Sequence, residues 1–176
     1  MTTDSRHFRC RRRGGIVVEM ILVLVVLLIV TVGIVQFGIF LSNAQQISLA
    51  ARVAALEASQ TTDLDIAAPA VPDNVISVIA HQLESSGMQW CVIRLEHNVT
   101  PGNLQEVLES SQDPDCELLS DAPLATPLSR PYVRLTVGVK VCEVMPKGVS
   151  YFCEQIFGPD QVYEHSAIFR YELDTP

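Results

Sequence analysis

Residues 11–60 read RRRGGIVVEMILVLVVLLIVTVGIVQFGIFLSNAQQISLAARVAALEASQ, and this stretch decides the fold. Its first part, residues 16–41, holds 21 apolar side chains among 26 residues, with Glu19 as its only charged residue. Its second part is rich in Ala, Leu, Gln and Glu, which are strong helix formers, and the whole stretch contains no proline. We therefore predict one long helix from about residue 16 to about residue 60.

The apolar part of this helix is long enough to cross a bilayer. As a helix, residues 16–41 would be about 39 Å long, which spans the hydrocarbon core of roughly 30 Å with some tilt. A secretory signal peptide has a shorter apolar core of about 7 to 15 residues, although residues 42–44 (Ser-Asn-Ala) resemble its cleavage site. We predict a transmembrane helix at residues 15–41 and an extracytoplasmic helix extension at residues 42–60.

Charge is divided unevenly along the 176 residues of the chain. Residues 1–14 carry a net charge of plus 4, whereas residues 15–176 carry minus 12. Because basic residues accumulate on the cytoplasmic side of a membrane span, we expect residues 1–14 to be a basic cytoplasmic leader and the body to lie on the other side of the membrane. The acidic body argues against nucleic-acid binding, which requires basic surface.

A linker and a small domain are predicted beyond the membrane helix. Residues 61–73 contain two prolines and are predicted to be the linker, so the extracytoplasmic domain covers residues 74–176. Apolar residues then recur at helical spacing behind Asp73 as the expected N-cap, and this short helix ends near Gly87.

The rest of the domain has the alternating pattern of β-strands. Residues 98–130 are expected to be mostly loop, with one helical turn at residues 104–110. Strands are predicted at residues 89–97, 132–137, 139–144, 149–157 and 167–173. The predicted fold class is a membrane-anchored α+β protein: a long N-terminal transmembrane helix that extends outside the membrane, then a small domain with a short helix and a three- to four-stranded antiparallel β-sheet.

Four of the five cysteines lie in the predicted exported body: Cys91, Cys116, Cys142 and Cys153. An even number in an oxidising compartment suggests two disulfides. If residues 147–148 form a two-residue hairpin turn, Cys142 and Cys153 face each other across it, and Cys91 pairs with Cys116 by elimination. The proline before that turn cannot donate a backbone hydrogen bond, so a longer loop with displaced cysteines, or buried thiols without a disulfide, stays open.

The segment RRRGGIVVEM at residues 11–20 is followed by an unbroken apolar helix. It resembles the class III signal of type IV pilins and pseudopilins: a basic leader, a glycine, the cleavage point, four residues and then glutamate. More closely, residues 11–58 resemble the TadE/TadF-like minor pseudopilins of the tight-adherence (Flp, type IVc) pilus system. Those proteins share a single N-terminal span, a helix with Ala-Ala-Arg just outside it, and a small C-terminal β-rich domain. This chain has Met20 where the Tad-type motif usually has an aromatic residue.

The resemblance implies roles for individual residues. Gly14 would precede the cut made by a membrane aspartyl prepilin peptidase, Gly15 would become the new N-terminus, and Glu19 would stand at position five. Cleavage after Gly15 is the alternative, and it would leave Glu19 at position four. In related pilins this glutamate pairs with the new amino terminus of the neighbouring subunit, which would set the register of assembly. The leader would be held on the cytoplasmic face by its basic residues Arg11, Arg12 and Arg13.

Nothing in the sequence supports an enzyme. It has no phosphate-binding glycine-rich loop and no nucleophile elbow, and no histidine stands at metal-ligand spacing with another histidine or cysteine. One loop contains four acidic residues that could hold Ca²⁺: Asp113, Asp115, Glu117 and Asp121. Their spacing lacks the order and the glycine of an EF-hand, so a solvated loop is favoured. We expect no metal, no cofactor, no small-molecule substrate and no nucleic-acid partner.

We interpret the chain as a TadE-like pseudopilin, a non-enzymatic structural or assembly component of a Flp/type IVc pilus. It would be a single-pass protein of the bacterial cytoplasmic membrane with a cytoplasmic N-terminus, and it could enter the pilus. Its expected partners are the lipid bilayer, a prepilin peptidase and other pilin or pseudopilin subunits. The alternative is an unprocessed single-pass anchor that presents an extracytoplasmic ligand-binding or sensory domain, and leader cleavage separates the two hypotheses.

Overall fold

The computed structural model describes residues 11–61, 64, 70–98, 106–112, 116, 131–145, 153, 158 and 161–171. The chain divides into two compact units, the first ending at Gly38 and the second beginning at Ile39. The expected domain boundaries remain predictions, because most of the predicted linker lies outside the described residues.

The first helix, α1 (Arg11–Gln60), is continuous over 50 residues and confirms the predicted long helix. Every Val, Leu, Ile, Met and Phe side chain at residues 16–37 is exposed in the isolated chain, from 48% at Val32 to 72% at Met20. Exposed apolar surface of this extent requires lipid or another protein to cover it. The helix is long and apolar enough to cross a membrane, which agrees with a membrane anchor.

The second unit contains a four-stranded antiparallel sheet, which confirms the predicted fold class. The strands are β1 (Val92–His97), β2 (Glu106–Ser111), β3 (Tyr132–Lys140) and β4 (Val162–Arg170). They follow the order β2-β1-β3-β4 across the sheet, and every neighbouring pair is antiparallel. The two central strands, β1 and β3, therefore pair on both sides.

Strand β2 overturns the helical turn that we expected at residues 104–110. Its Leu108 lies opposite Leu95 of β1 and is buried. The segment is therefore extended because it completes a ladder with β1 and because its alternate side chain enters the core. Such pairing depends on residues distant in sequence, which local propensity does not contain.

The strand predicted at residues 139–144 is wrong beyond Lys140. Residues Val141–Val144 instead form the short helix α3. The β1 partners of β3 end at Gly138 and its β4 partners end at Lys140, so the chain can turn after Lys140, and the turn places Val144 fully in the core. The strand predicted at residues 149–157 falls outside the described residues except for Cys153.

The core lies between one face of the sheet and two helices. Residues 39–60 of α1, the outer half of this helix, bury a stripe of mainly alanine side chains at helical spacing in this core. Helix α2 (Asp73–Glu84) adds Val75, Ile79 and Leu83 to the same cluster, and Leu95 and Leu135 lie at the centre of the facing sheet. The buried apolar side chains of α1 are Ile47, Ala50, Ala51, Ala54, Ala55 and Ala58.

Helix α2 ends as the sequence predicts but begins one residue earlier. Its N-cap is Pro72, with no side-chain cap hydrogen bond, so Asp73 is the first helical residue and the expected Asp73 N-cap is wrong. At the other end, the Met88 N–H donates to the Leu83 carbonyl at 3.1 Å and the Gly87 N–H to the Glu84 carbonyl at 2.9 Å. This Schellman arrangement needs a left-handed residue, and Gly87 provides it with φ of 68°.

The second face of the sheet is also buried at its centre. Tyr132, Arg134 and Thr136 point to this face and are all under 9% exposed. The register of β1 and β3 sets Glu96 opposite Arg134, and the Arg134 guanidinium donates to the Glu96 carboxylate at 3.4 Å. A buried ion pair of this kind requires both partners to stay in place, so it holds the central strands in one register.

Candidate functional site

The residues that sequence analysis assigns to processing and assembly all lie in α1. The backbone is helical from Arg11 onward, so Gly14 and Gly15 stand in the first turns of the helix. Glu19 is exposed, and it lies four residues after Gly15, which places both on one face about 6 Å apart along the axis. The helix thus presents a carboxylate one turn away from the predicted new amino terminus.

The first turn of α1 is held weakly. Gly14 and Gly15 are adjacent, and each glycine is about 1 kcal/mol less favourable than alanine within a helix. The first turn contains no acidic residue, and cations at this end oppose the helix dipole. A Cβ added at Gly15 would meet nothing within 4 Å, so packing inside the chain does not require glycine there. Unwinding this turn to an extended backbone therefore costs little.

Side-chain hydrogen bonds fasten the outer half of α1 to the elements around it. The Asn43 amide donates to the Val144 carbonyl at 2.7 Å. The Gln82 amide of α2 donates to the Gln46 side-chain oxygen at 3.0 Å. Nearer the membrane-side end, Phe40 meets the Tyr163 ring of β4 edge to face, with centroids 6.3 Å apart.

A second group of hydrogen bonds closes the far end of α1. The Asn74 amide donates to the Thr61 hydroxyl at 3.0 Å and to the Glu57 carboxylate at 3.3 Å. The Tyr171 hydroxyl donates to the Thr61 carbonyl at 3.1 Å. Contacts therefore follow the outer half of α1 from its start to its end, and within the second unit the helix and the sheet form one packed body.

The ionisable side chain of His165 in β4 also contacts the outer half of α1. Its Nε2 lies 2.9 Å from the Ser48 hydroxyl of α1. Burial lowers the pKa of the His165 imidazole, and the nearby Arg52 guanidinium lowers this pKa further. A neutral imidazole is thus favoured at this contact.

Two disulfides link the pairs that the sequence analysis favoured. Cys91 joins Cys116 with a Cα separation of 5.8 Å, and Cys142 joins Cys153 with 5.6 Å. Cys142 lies in α3 and not in a strand. Its disulfide with Cys153 is therefore not the pair across two β-strands that the predicted hairpin implied. The hairpin turn expected at residues 147–148 lies outside the described residues.

The described part of the chain brings together no cluster that could hold a metal. No group of three His, Cys, Asp or Glu side chains converges among these residues. His81 is exposed on α2, and His97 is buried in β1. His7 lies outside the described residues, and so do the acidic loop residues considered for Ca²⁺, namely Asp113, Asp115, Glu117 and Asp121.

One cavity of about 350 Å³ lies where α2 ends and β1 begins. Trp90, Met88 and Glu84 line it. Among the described residues, Glu84 is the one ionisable side chain in this lining. The sequence reasoning missed this cavity, because it forms only when α2 folds back on the strand.

The outer half of α1 also carries an apolar stripe that the sequence reasoning missed. Leu49, Val53 and Leu56 are 45%, 39% and 42% exposed. They lie on the face opposite the alanine stripe, since at about 100° per residue the centres of the two stripes are about half a turn apart around the helix. Their spacing of four and then three residues was visible in the sequence, but only the structure shows which face is left uncovered.

Residues 14–56 match the sequence model of a family described as TadE-like protein. The matched range begins at Gly14, includes Glu19 and ends at Leu56, so it covers the apolar half of α1 and most of the alanine stripe. No curated protein and no solved structure matches the chain. The match confirms the predicted resemblance over this segment and supports a component associated with a Tad pilus. Components of this family are generally structural and not enzymatic.

Proposed function

We propose that the chain is a TadE-like pseudopilin, a structural or assembly component of a Flp/type IVc pilus without enzymatic activity. The observation that carries this proposal is the construction of α1. Its apolar half is uncovered in the isolated chain, and its outer half is packed into the core of a small domain. Such a helix anchors the chain in a membrane and leaves a long apolar face for lipid or for neighbouring helices.

The proposal includes processing by a prepilin peptidase between Gly14 and Gly15. A protease acts on an extended backbone, and two glycines without side chains allow close approach to its catalytic groups. The weakly held first turn supports this step, because little helix must be lost to expose the bond. The basic leader keeps the bond at the cytoplasmic face, where that peptidase works.

Glu19 would then set the register of assembly. In lipid, an unpaired carboxylate is costly, and so is the ammonium group that cleavage would create at Gly15. A carboxylate from one helix and an ammonium from a neighbouring helix relieve each other's desolvation. Because Glu19 and Gly15 lie one turn apart along the helix, pairing Glu19 of one helix with the Gly15 amino group of its neighbour would offset the two helices by about 6 Å.

Removal of residues 1–14 would also change the charge of the chain. The processed chain would carry minus 12, compared with minus 8 for the full sequence. Partners outside the membrane would therefore be basic, or they would join through the helix and not through surface charge. This favours α1 as the main contact with other pilin or pseudopilin subunits.

The substitution Glu19→Ala tests the proposed function. We expect the variant to insert into the membrane normally, since it removes a charge from an apolar helix, but to lose copurification with other pilus subunits. Val18→Ala is the matched control, because it truncates the preceding side chain without touching the carboxylate. Copurification of Glu19→Ala at the level of the control would leave Glu19 with a local role at the membrane surface and would count against the proposal.

The cavity beside Trp90 favours a second candidate function, that of an unprocessed anchor that presents a ligand-binding domain. Its volume of about 350 Å³ falls at the low end for small-molecule sites. This candidate requires the leader to stay attached and requires no contact with pilus subunits. The Glu19→Ala experiment and the mass of the N-terminus therefore separate it from the first candidate.

A further inference from the structure

The uncovered stripe on the outer half of α1 has the spacing of a coiled-coil seam. Leu49, Val53 and Leu56 follow one another at intervals of four and three residues, which is a seven-residue repeat. With Leu49 and Leu56 at the d position, Val53 falls at a. The opposite face of the same helix is buried in the domain core, so this outer seam (Leu49, Val53 and Leu56) is the side of the helix that remains for a partner.

The charges beside the outer seam identify the partner. In this repeat Arg52 occupies the g position and Glu57 the e position, which are the positions that form salt bridges between parallel helices. In a parallel pair of identical helices, the g side chain faces the e side chain five residues further along the other helix. Arg52 would face Glu57 of a second copy, and by symmetry the pair would form twice.

Both charged groups are placed for this contact. Arg52 is exposed, and none of the ion pairs seen among the described residues involves it. Glu57 is half-buried, and its Oε1 accepts a hydrogen bond from Asn74 at 3.3 Å. That bond holds the carboxylate at the edge of the seam, which reduces the entropy lost when it meets a guanidinium.

We infer that the outer seam is a self-association surface at which a second copy of this chain docks in parallel and in register. Parallel orientation follows because both copies would begin from apolar segments in the same membrane. Residues 49–60 extend over only about 18 Å, which is too short for stable pairing of isolated helices in water. Confinement to a membrane supplies the effective concentration that such a short seam requires.

This inference goes beyond the proposed function, because it needs neither leader cleavage nor another pilus protein. Its test therefore uses the full chain expressed alone, with Glu19 unchanged and with Cys10→Ser to remove the remaining cysteine. Leu49→Cys and Leu56→Cys are oxidised in native membranes with copper phenanthroline. Ser77→Cys is the control, since residue 77 is exposed on α2 and lies outside the outer seam.

We expect Leu49→Cys and Leu56→Cys to yield a disulfide-linked species with twice the mass of the chain, and Ser77→Cys to yield none. All three positions are exposed, so the domain should keep its fold, and membrane localisation with intact native disulfides verifies this. Absence of the dimer at both seam positions would overturn the inference. Equal cross-linking of Ser77→Cys, or a product containing a different protein, would overturn it as well.

The charge pair provides an independent readout in the Leu49→Cys background. Arg52→Glu replaces an attraction of about 0.5 kcal/mol with a repulsion of similar size at each of the two g–e contacts, so the cross-linked fraction should fall by about 30-fold. The swap Arg52→Glu with Glu57→Arg should restore the cross-linked fraction. Failure of the swap to restore it would show that the helices do not pair in parallel register.

Discussion

Replacing Ala54 with leucine tests whether the outer half of α1 is part of the domain core. Ala54 is fully buried, with Ala51 and Ala55 on the same face and Ile47 two turns before it. These small side chains belong to the same core cluster as Leu95 and Leu135 of the sheet. Leucine adds three carbon atoms at a point where the packed helix and the sheet leave no solvent-accessible surface.

The expected loss of stability follows from this packing. If the added atoms fitted without strain, their burial would contribute about 0.8 kcal/mol each. In a filled contact they instead force side chains off their rotamers or move the helix, and the net loss is about 1–3 kcal/mol. A loss of about 2 kcal/mol corresponds to a melting temperature lower by about 6–8 °C for a domain of this size.

The assay is thermal unfolding of the full chain in detergent micelles. Trp90 is the only tryptophan and is buried, so its fluorescence reports on the domain and not on the membrane segment. Gln45→Leu is the matched control, because it adds a leucine to the exposed side of the same helix and should change the melting temperature little. Equal melting temperatures for Ala54→Leu, Gln45→Leu and the original chain would refute the packed attachment.

Two further predictions concern stability. The lowered pKa of His165 means that the unfolded chain takes up a proton at this residue before the folded chain does, so the free energy of unfolding should fall as the pH drops below about 6.5. His165→Gln should show a smaller fall between pH 7.5 and 5.5 in parallel urea titrations, and an identical fall would contradict this assignment. Replacing Cys142 and Cys153 by serine should lower the free energy of unfolding by about 3 kcal/mol, and replacing Cys91 and Cys116 should lower it by slightly more because the closed loop is longer. Urea unfolding of both double variants tests that order, and a reversed order would show that loop length does not dominate.

The course of α1 could be predicted from the sequence because the local signals agree over residues 16–60, although the helix begins earlier, at Arg11. Strong helix formers, an apolar run and the absence of proline all favour one helix, and tertiary contacts do not oppose them. Strand β2 could not be predicted in the same way. Its residues Glu106–Ser111 become extended because β1 lies beside them, and that neighbour is set by the fold and not by the segment itself.

Alternation in β3 predicts which side chains share a face but not whether the face is buried. Arg134 and Thr136 carry the polar side of the pattern, which usually faces water, yet both are buried. The register that sets Glu96 opposite Arg134 explains how a charge is accommodated there. That register depends on the pairing of two strands far apart in sequence, which the alternation within one strand does not contain.

The processing and assembly residues of the candidate site could be predicted from the sequence, but the exposed apolar surface on α1 could not. Gly14, Gly15 and Glu19 follow from a short motif whose positions can be read directly. The outer seam follows from a seven-residue spacing that also fits burial against the sheet. Only the packed domain shows that the alanines take the inner face of α1 and that Leu49, Val53 and Leu56 stay outside.

The intact mass of the chain, purified from the membranes of cells that contain the pilus system, tests the central claim most directly. The proposed function predicts the mass of a chain that begins at Gly15, with N-terminal sequencing that starts Gly-Ile-Val-Val-Glu. A chain that still carries residues 1–14 would contradict processing at Gly14 and would favour the unprocessed anchor.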